Sequence, residues 1–114
     1  HTESYSASSL KHGPFALLDA DFPVIIINCE DEHDDKITSC YHEVKARHSP
    51  QILITSTNTT KTSTKTSTII VPKNKHYGAL LALIPLQLMS YYLSINKGIN
   101  PDTPKNLAKV VTVD

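Results

Sequence analysis

The chain has little glycine, little cysteine, no excess of either charge and no long apolar run. Three glycines among 114 residues leave no glycine-rich loop of the nucleotide-binding kind, whose phosphate contacts require closely spaced glycines. The two cysteines, Cys29 and Cys40, lack Cys-x-x-Cys spacing, so a zinc ribbon or a dithiol redox centre is not expected. Two buried free thiols in a reducing compartment is the economical reading. Acidic and basic residues number eleven each, with a pI near 7.2. That balance gives no electrostatic case for nucleic acid or an anionic membrane, both of which favour a basic footprint. The longest apolar stretch, 79–89, is interrupted by Pro85 and Gln87 and falls well short of the roughly 20 residues of a spanning helix. A soluble, cytoplasmic chain with no nucleic-acid and no membrane partner is the expectation.

What is present is a globular composition, 39% hydrophobic and 19% charged, of a length suited to one small domain or part of one. Leu10, Phe15, Leu17 and Leu18, interrupted by Gly13-Pro14, predict a short helix to about His12, a turn, and a second short turn. Val24-Ile25-Ile26-Ile27 is a continuous β-branched run, the pattern of a strand covered on both faces in a parallel sheet. The acids between Glu30 and Asp35 suit a helix start, Ile37, Cys40, Tyr41 and Val44 follow at helical spacing, and Lys45 and Arg47 suit its end. Ile52-Leu53-Ile54 after Pro50 completes a βαβ unit. The threonine- and serine-rich stretch 55–68 reads as a solvated surface loop, followed by a third strand at Thr68-Ile69-Ile70-Val71. The last large element is a helix from about Gly78 to Lys97, kinked or started by Pro85, with Gly98 as its stop. Three apolar strands make a poor independent fold. The fold class is therefore α/β, with the chain forming part of a three-layer α/β/α domain built on a parallel sheet and ending in an extended tail.

Two side chains carry candidate chemistry. Lys109 lies in the apolar run Leu107-Ala108-Lys109-Val110-Val111. Partial desolvation lowers an amine's pKa and makes it a nucleophile toward carbonyls. The plainer reading is a tail lysine whose ammonium reaches water. His12 has an imidazole able to give and take protons near neutral pH, or it caps the Gly13-Pro14 turn.

Three blocks bear on this choice: Leu10-Lys11-His12-Gly13-Pro14 with Phe15-Ala16-Leu17-Leu18-Asp19 and Phe22-Pro23-Val24-Ile25; Ile84-Pro85-Leu86-Gln87-Leu88 with Tyr91-Tyr92; and Asn106-Leu107-Ala108-Lys109 followed by Val111-Thr112-Val113-Asp114. In order and spacing they resemble the C-terminal part of glutamine–fructose-6-phosphate aminotransferases, the isomerizing enzymes that make glucosamine 6-phosphate, and the resemblance runs from end to end. It implies that residues 1–98 form the later portion of a sugar isomerase (SIS) domain and 99–114 an active-site tail. It implies that Lys109 forms a Schiff base with C2 of open-chain fructose 6-phosphate, and that His12 opens the sugar ring, reaching the site of a second subunit in a homodimer. Ala108 and Lys11 are the implied substrate-binding positions. No metal or organic cofactor is implied, because the imine itself acidifies the C1 hydrogen.

The departures are specific. Ser9 stands where the family usually has glutamate, and Lys105 replaces the usual arginine, giving up a bidentate fork. The carboxylate that moves the C1–C2 proton, the Ser/Thr phosphate cradle and the glutaminase domain all belong to upstream sequence. A non-catalytic phosphosugar-binding module is the alternative, and the 114-residue chain alone is expected to be inactive. Glu3 reads as a solvated acid, and Lys11 as paired with a carboxylate from the upstream part. His33 among the acids and Cys40-x-His42 lack zinc spacing.

Overall fold

The computed structural model describes residues 2–57, 66–103 and 105. Two short 3-10 turns, Leu10–His12 and Pro14–Leu17, lead into β1 (Val24–Asn28), α1 (Asp34–Lys45), β2 (Gln51–Thr55), β3 (Thr66–Ile70) and α2 (Gly78–Asn96). The strands form one sheet in the order β1-β2-β3, all parallel. The α/β class with a parallel sheet is as the β-branched runs predict, with strand and helix bounds shifted by one or two residues.

The register places Val24, Gln51 and Thr66 at one level, and Ile27, Ile54 and Ile69 at another. Side chains alternate along each strand, so the Val24–Gln51–Thr66 face also carries Ile26 and Thr55. Helix α1 covers that face. The Gln51 side-chain amide donates to the Tyr41 carbonyl at 3.0 Å, and the Tyr41 hydroxyl pairs with Thr66 Oγ1 at 3.3 Å. Cys40 and Val44, one turn apart on α1, are buried with Ile26. On the opposite face Ile54 is fully buried, while Ile25 and Ile27 at the β1 edge are 36% and 39% exposed. Coverage of both faces of β1, expected from its continuous β-branched run, is therefore incomplete within the described residues.

Helix α1 starts with Asp34 and Asp35 in its first turn, where carboxylates oppose the positive end of the macrodipole. Glu30, Asp31 and Glu32 precede it, so the acidic run is only partly a helix start. The helix leaves through His48, a non-glycine residue at φ 63° whose N–H donates to the Lys45 carbonyl at 3.0 Å.

The chain divides into two compact units, residues 1–82 and 83–114. In the first, the start of α2 lies close to the sheet: a Cβ on Gly78 would sit 3.4 Å from Cys29 Cβ, and Ala82 is buried. In the second, α2 runs through Pro85 without interruption. It ends as expected at Gly98, where φ is 68°. The Gly98 N–H donates to Ile95 O and the Ile99 N–H to Ser94 O, each at 2.9 Å, which closes the last carbonyls of the helix in a Schellman motif. The full 19-residue helix is long and apolar enough to cross a membrane by length and composition, a property that the shorter stretch 79–89, with its Pro85 and Gln87, conceals. Pro85, Gln87, Ser90 and Ser94 are distributed along it.

Candidate active site

The residues around His12 are fixed by contacts between the two 3-10 turns and α1. The ammonium of Lys11 donates to Glu43 Oε1 at 2.8 Å. The Arg47 guanidinium lies over the Phe15 ring, 4.1 Å from its centroid, and also donates to the Glu43 carbonyl at 2.8 Å. A planar guanidinium on an aromatic face adds cation–π attraction to apolar packing. One contact therefore precedes Gly13 and the other follows it; the first ends on Glu43 in the last turn of α1 and the second on Arg47 just beyond it.

His12 sits between these two contacts. Its backbone N–H donates to the Ser9 carbonyl at 3.0 Å, which closes the first turn. Its side chain is exposed and makes no hydrogen bond to a described residue. The turn-capping reading thus applies to the backbone of His12 and leaves the imidazole free to act on a ligand. Gly13, at φ 159° and ψ −62°, then redirects the chain into the second turn.

The expectation that Lys11 pairs with a carboxylate from upstream sequence is corrected by its ion pair with Glu43, 32 positions further along this chain. Short-range spacing gives no signal for a pair so far apart. Ser9, at the usual glutamate position, pairs its hydroxyl with that of Ser6 at 2.7 Å and carries no charge. Glu3 accepts a hydrogen bond from the Tyr5 hydroxyl. That contact, with a smaller effect of desolvation, pushes the Tyr5 phenol above its ordinary value. Lys109 and Ala108 lie outside the described residues.

A second polar cluster, missed in the sequence, sits at the carboxyl ends of the strands. Glu30, two residues beyond β1, has φ 54°, and its N–H donates to Asn28 Oδ1 at 2.9 Å. Its carboxylate accepts from Thr55 Oγ1 at 3.0 Å and from Lys73 Nζ at 3.3 Å. Hydrogen bonding from Thr57, with help from Thr55, Lys73 and Ser56, outweighs desolvation and holds the Glu30 carboxyl down at about 2. The sequence signal for this cluster is positional: an acid just past one strand, and hydroxyls at the end of the next.

The remaining features are chemically quiet. Burial pushes the Cys40 thiol up, with Glu43 adding to it and Lys11 opposing; burial and Asp31 do the same for Cys29. Both therefore stay protonated at neutral pH, unlike a reactive thiolate. An open cleft of 380 Å³ in the second unit is lined by Gln87, Ser90, Tyr91, Ser94, Ile99 and Pro101. It holds no carboxylate, imidazole or amine. Among the described residues no three His, Cys, Asp or Glu side chains converge as metal ligands do.

The SIS domain model matches residues 1–97. The chain belongs to the SIS domain family. Over its whole length this SIS chain is 43% identical to a probable glutamine–fructose-6-phosphate aminotransferase [isomerizing] of Acanthamoeba polyphaga mimivirus. It is 41% identical to the glutamine–fructose-6-phosphate aminotransferase [isomerizing] of Haemophilus influenzae. It spans 19% of the length of each of these relatives. Its structure is similar to the C-terminal domain of glucosamine-fructose-6-phosphate aminotransferase from Francisella tularensis, with a TM-score of 0.81 and 34% identity, covering 91% of this chain and 30% of that one. The sequence resemblance and the fold thus point to the same group of proteins.

Proposed function

We propose that this chain is the later part of the isomerase domain of a soluble, cytoplasmic glutamine–fructose-6-phosphate aminotransferase. In the complete reaction, ammonia from glutamine is condensed with fructose 6-phosphate and the product is isomerised to glucosamine 6-phosphate. The observation that carries the reading is the exposed imidazole of His12, without a hydrogen-bond partner among the described residues and held between the Lys11–Glu43 ion pair and the Arg47–Phe15 stack.

An imidazole so placed serves both halves of ring opening. It takes the proton from the anomeric hydroxyl and returns one to the ring oxygen, freeing the C2 carbonyl. Because His12 is exposed, its imidazole can serve a sugar held by a second copy of the chain. Lys109 then condenses with C2, losing water and forming an imine whose electron withdrawal acidifies the C1 hydrogen. Ammonia then displaces the Lys109 amine from C2, and in the resulting sugar imine a carboxylate from upstream sequence moves the acidified proton from C1 to C2. Lys11 and Ala108 are the substrate-binding positions. Lys11, already paired with Glu43, serves mainly by fixing the His12 turn. The tail bearing Lys109 excludes water from the imine when it closes.

A non-catalytic phosphosugar-binding module is the second reading. It is favoured by Ser9, whose hydroxyl engages Ser6 and supplies no charge in place of the family's glutamate. Replacing His12 separates the two in the native polypeptide carrying this chain. His12→Asn is expected to lower kcat/KM for fructose 6-phosphate by about 10²- to 10⁴-fold. The effect on 5-deoxyfructose 6-phosphate, which cannot close a furanose ring, should be within about threefold. Equal losses on both substrates would exclude ring opening as the role of His12, and absence of turnover in the unmutated protein would leave the binding module.

A further inference from the structure

The carboxyl ends of parallel strands are where open α/β sheets bind their ligands, and in this sheet that position is taken by one of the chain's own side chains. Glu30 follows β1, Thr55 ends β2 with Ser56 and Thr57 immediately after it, and Lys73 follows β3. Their polar atoms converge on one carboxylate, so all three strand ends are joined through it. Thr55 Oγ1 accepts the Thr57 N–H at 3.4 Å and donates its own proton to Glu30 Oε1 at 3.0 Å. Lys73 Nζ donates to Glu30 Oε2 at 3.3 Å, and Thr57 contributes a further hydrogen bond. Ser56 Oγ also favours the charge of the carboxylate, yet it is shielded from solvent and makes no regular hydrogen bond among the described residues.

Hydroxyl donors and one ammonium around a single negative group is the donor set of a phosphate site. It has one donor more than a carboxylate with two oxygens has engaged here. The backbone beneath it is arranged for the carboxylate: Glu30 holds φ 54°, a conformation costly for a non-glycine residue, and its N–H is secured by Asn28 Oδ1. The Glu30 side chain is 15% exposed, against 70% for Lys73, so the carboxylate is the inner member of the pair.

We propose that Thr55, Ser56, Thr57 and Lys73 form a binding site for a phosphate-type oxyanion that the Glu30 carboxylate occupies and keeps closed. The charge of the resident group persists at every physiological pH, so the site does not open on mild acidification. The chain therefore carries an anion site at the strand ends that is reserved for its own side chain. Phosphosugar bound by the complete protein is held elsewhere. This inference stands on the strand-end geometry and is independent of the roles given to His12 and Lys109.

The test is Glu30→Gly, which removes the carboxylate and suits the backbone at φ 54°, made in the native polypeptide. Thermal unfolding is followed in potassium phosphate and in potassium chloride of matched ionic strength, at about 50 mM phosphate, with ligand linkage converting binding into a Tm rise. The expected result is a phosphate-specific Tm rise in Glu30→Gly at least about twice that of the unmutated protein. Adding Lys73→Met should abolish the excess. Phosphate bound at any other site raises both proteins alike, so only the difference counts. If Glu30→Gly is unfolded in chloride, phosphate should restore its folded signal. Equal rises in the two proteins, an excess that survives Lys73→Met, or an unfolded Glu30→Gly that phosphate does not rescue would each overturn the proposal.

Discussion

Helices α1 and α2 solve the burial problem in opposite ways. Over twelve residues α1 presents Cys40 and Val44 to the sheet and keeps Asp34, Asp35, His42 and Lys45 toward water, with Glu43 half-buried against Lys11. Over nineteen residues α2 is apolar on nearly every side, and only Ala82 is buried. Leu80, Leu83, Ile84, Leu88, Tyr92 and Leu93 are all exposed among the described residues. A helix with one apolar stripe is satisfied by one neighbouring layer, whereas one that is apolar all round belongs in the interior of a larger protein. The difference separates what this chain can build alone from what needs more protein around it, in keeping with relatives about five times its length.

The largest expected effect comes from testing that contrast in the native polypeptide. Ile54→Ala removes a fully buried side chain from the centre of the sheet and should cost about 3 kcal/mol in chemical denaturation. Leu88→Ala, at a position 52% exposed here, should cost about 2 kcal/mol if the longer protein covers α2. A loss within about 0.5 kcal/mol, the usual range for a surface site, would break the comparison and leave α2 at the surface.

A smaller effect distinguishes the polar rim from both helices. The folded-state carboxyl of Glu30 lies at about 2, below its ordinary 4.5. Its contribution to stability is therefore present above the unfolded value and is lost as pH falls through the window from 4.5 toward 2. Allowing for solvent screening at the rim, the contribution is about 1–2 kcal/mol. Glu30→Gln should be less stable than the unmutated protein by that amount at pH 7, with the gap closing in acid. A gap unchanged down to pH ~3 would place the stabilisation in packing and not in charge. The smallest effect concerns the exit from α1. His48 at φ 63° is in a conformation that glycine adopts at no steric cost, so His48→Gly should stabilise by about 0.5–1 kcal/mol, read as a rise in Tm.

Much of this organisation is legible in the residues themselves. Val24-Ile25-Ile26-Ile27 specifies β1 because a β-branched run has few other uses, and Gly98 stops α2 because the left-handed position there favours glycine. The start of β3 is less legible. Thr66 and Ser67 belong to a polar, repetitive stretch, and their pairing with Gln51 and Ile52 is what makes them strand. Glu30 is hidden by its neighbours. Beside Asp31, Glu32, Asp34 and Asp35 it reads as one more helix-start acid, and only the approach of Thr55, Thr57 and Lys73 from other strands shows its separate role. Lys11 is hidden by distance along the chain, since Glu43 becomes its neighbour only after β1 and α1 have folded. Of the candidate site, His12 and its pinning are visible in the structure, while the tail residues Ala108 and Lys109 rest on the sequence motif Asn106-Leu107-Ala108-Lys109.

The central claim is the imine at Lys109. The native polypeptide carrying this chain is mixed with fructose 6-phosphate, treated with borohydride, digested, and read by peptide mass spectrometry. A reduced hexose-phosphate adduct on Lys109 is the predicted result, since only an imine is fixed in this way. No adduct, with fructose 6-phosphate binding still measurable by calorimetry, would contradict the catalytic account and assign the chain to a phosphosugar-binding module.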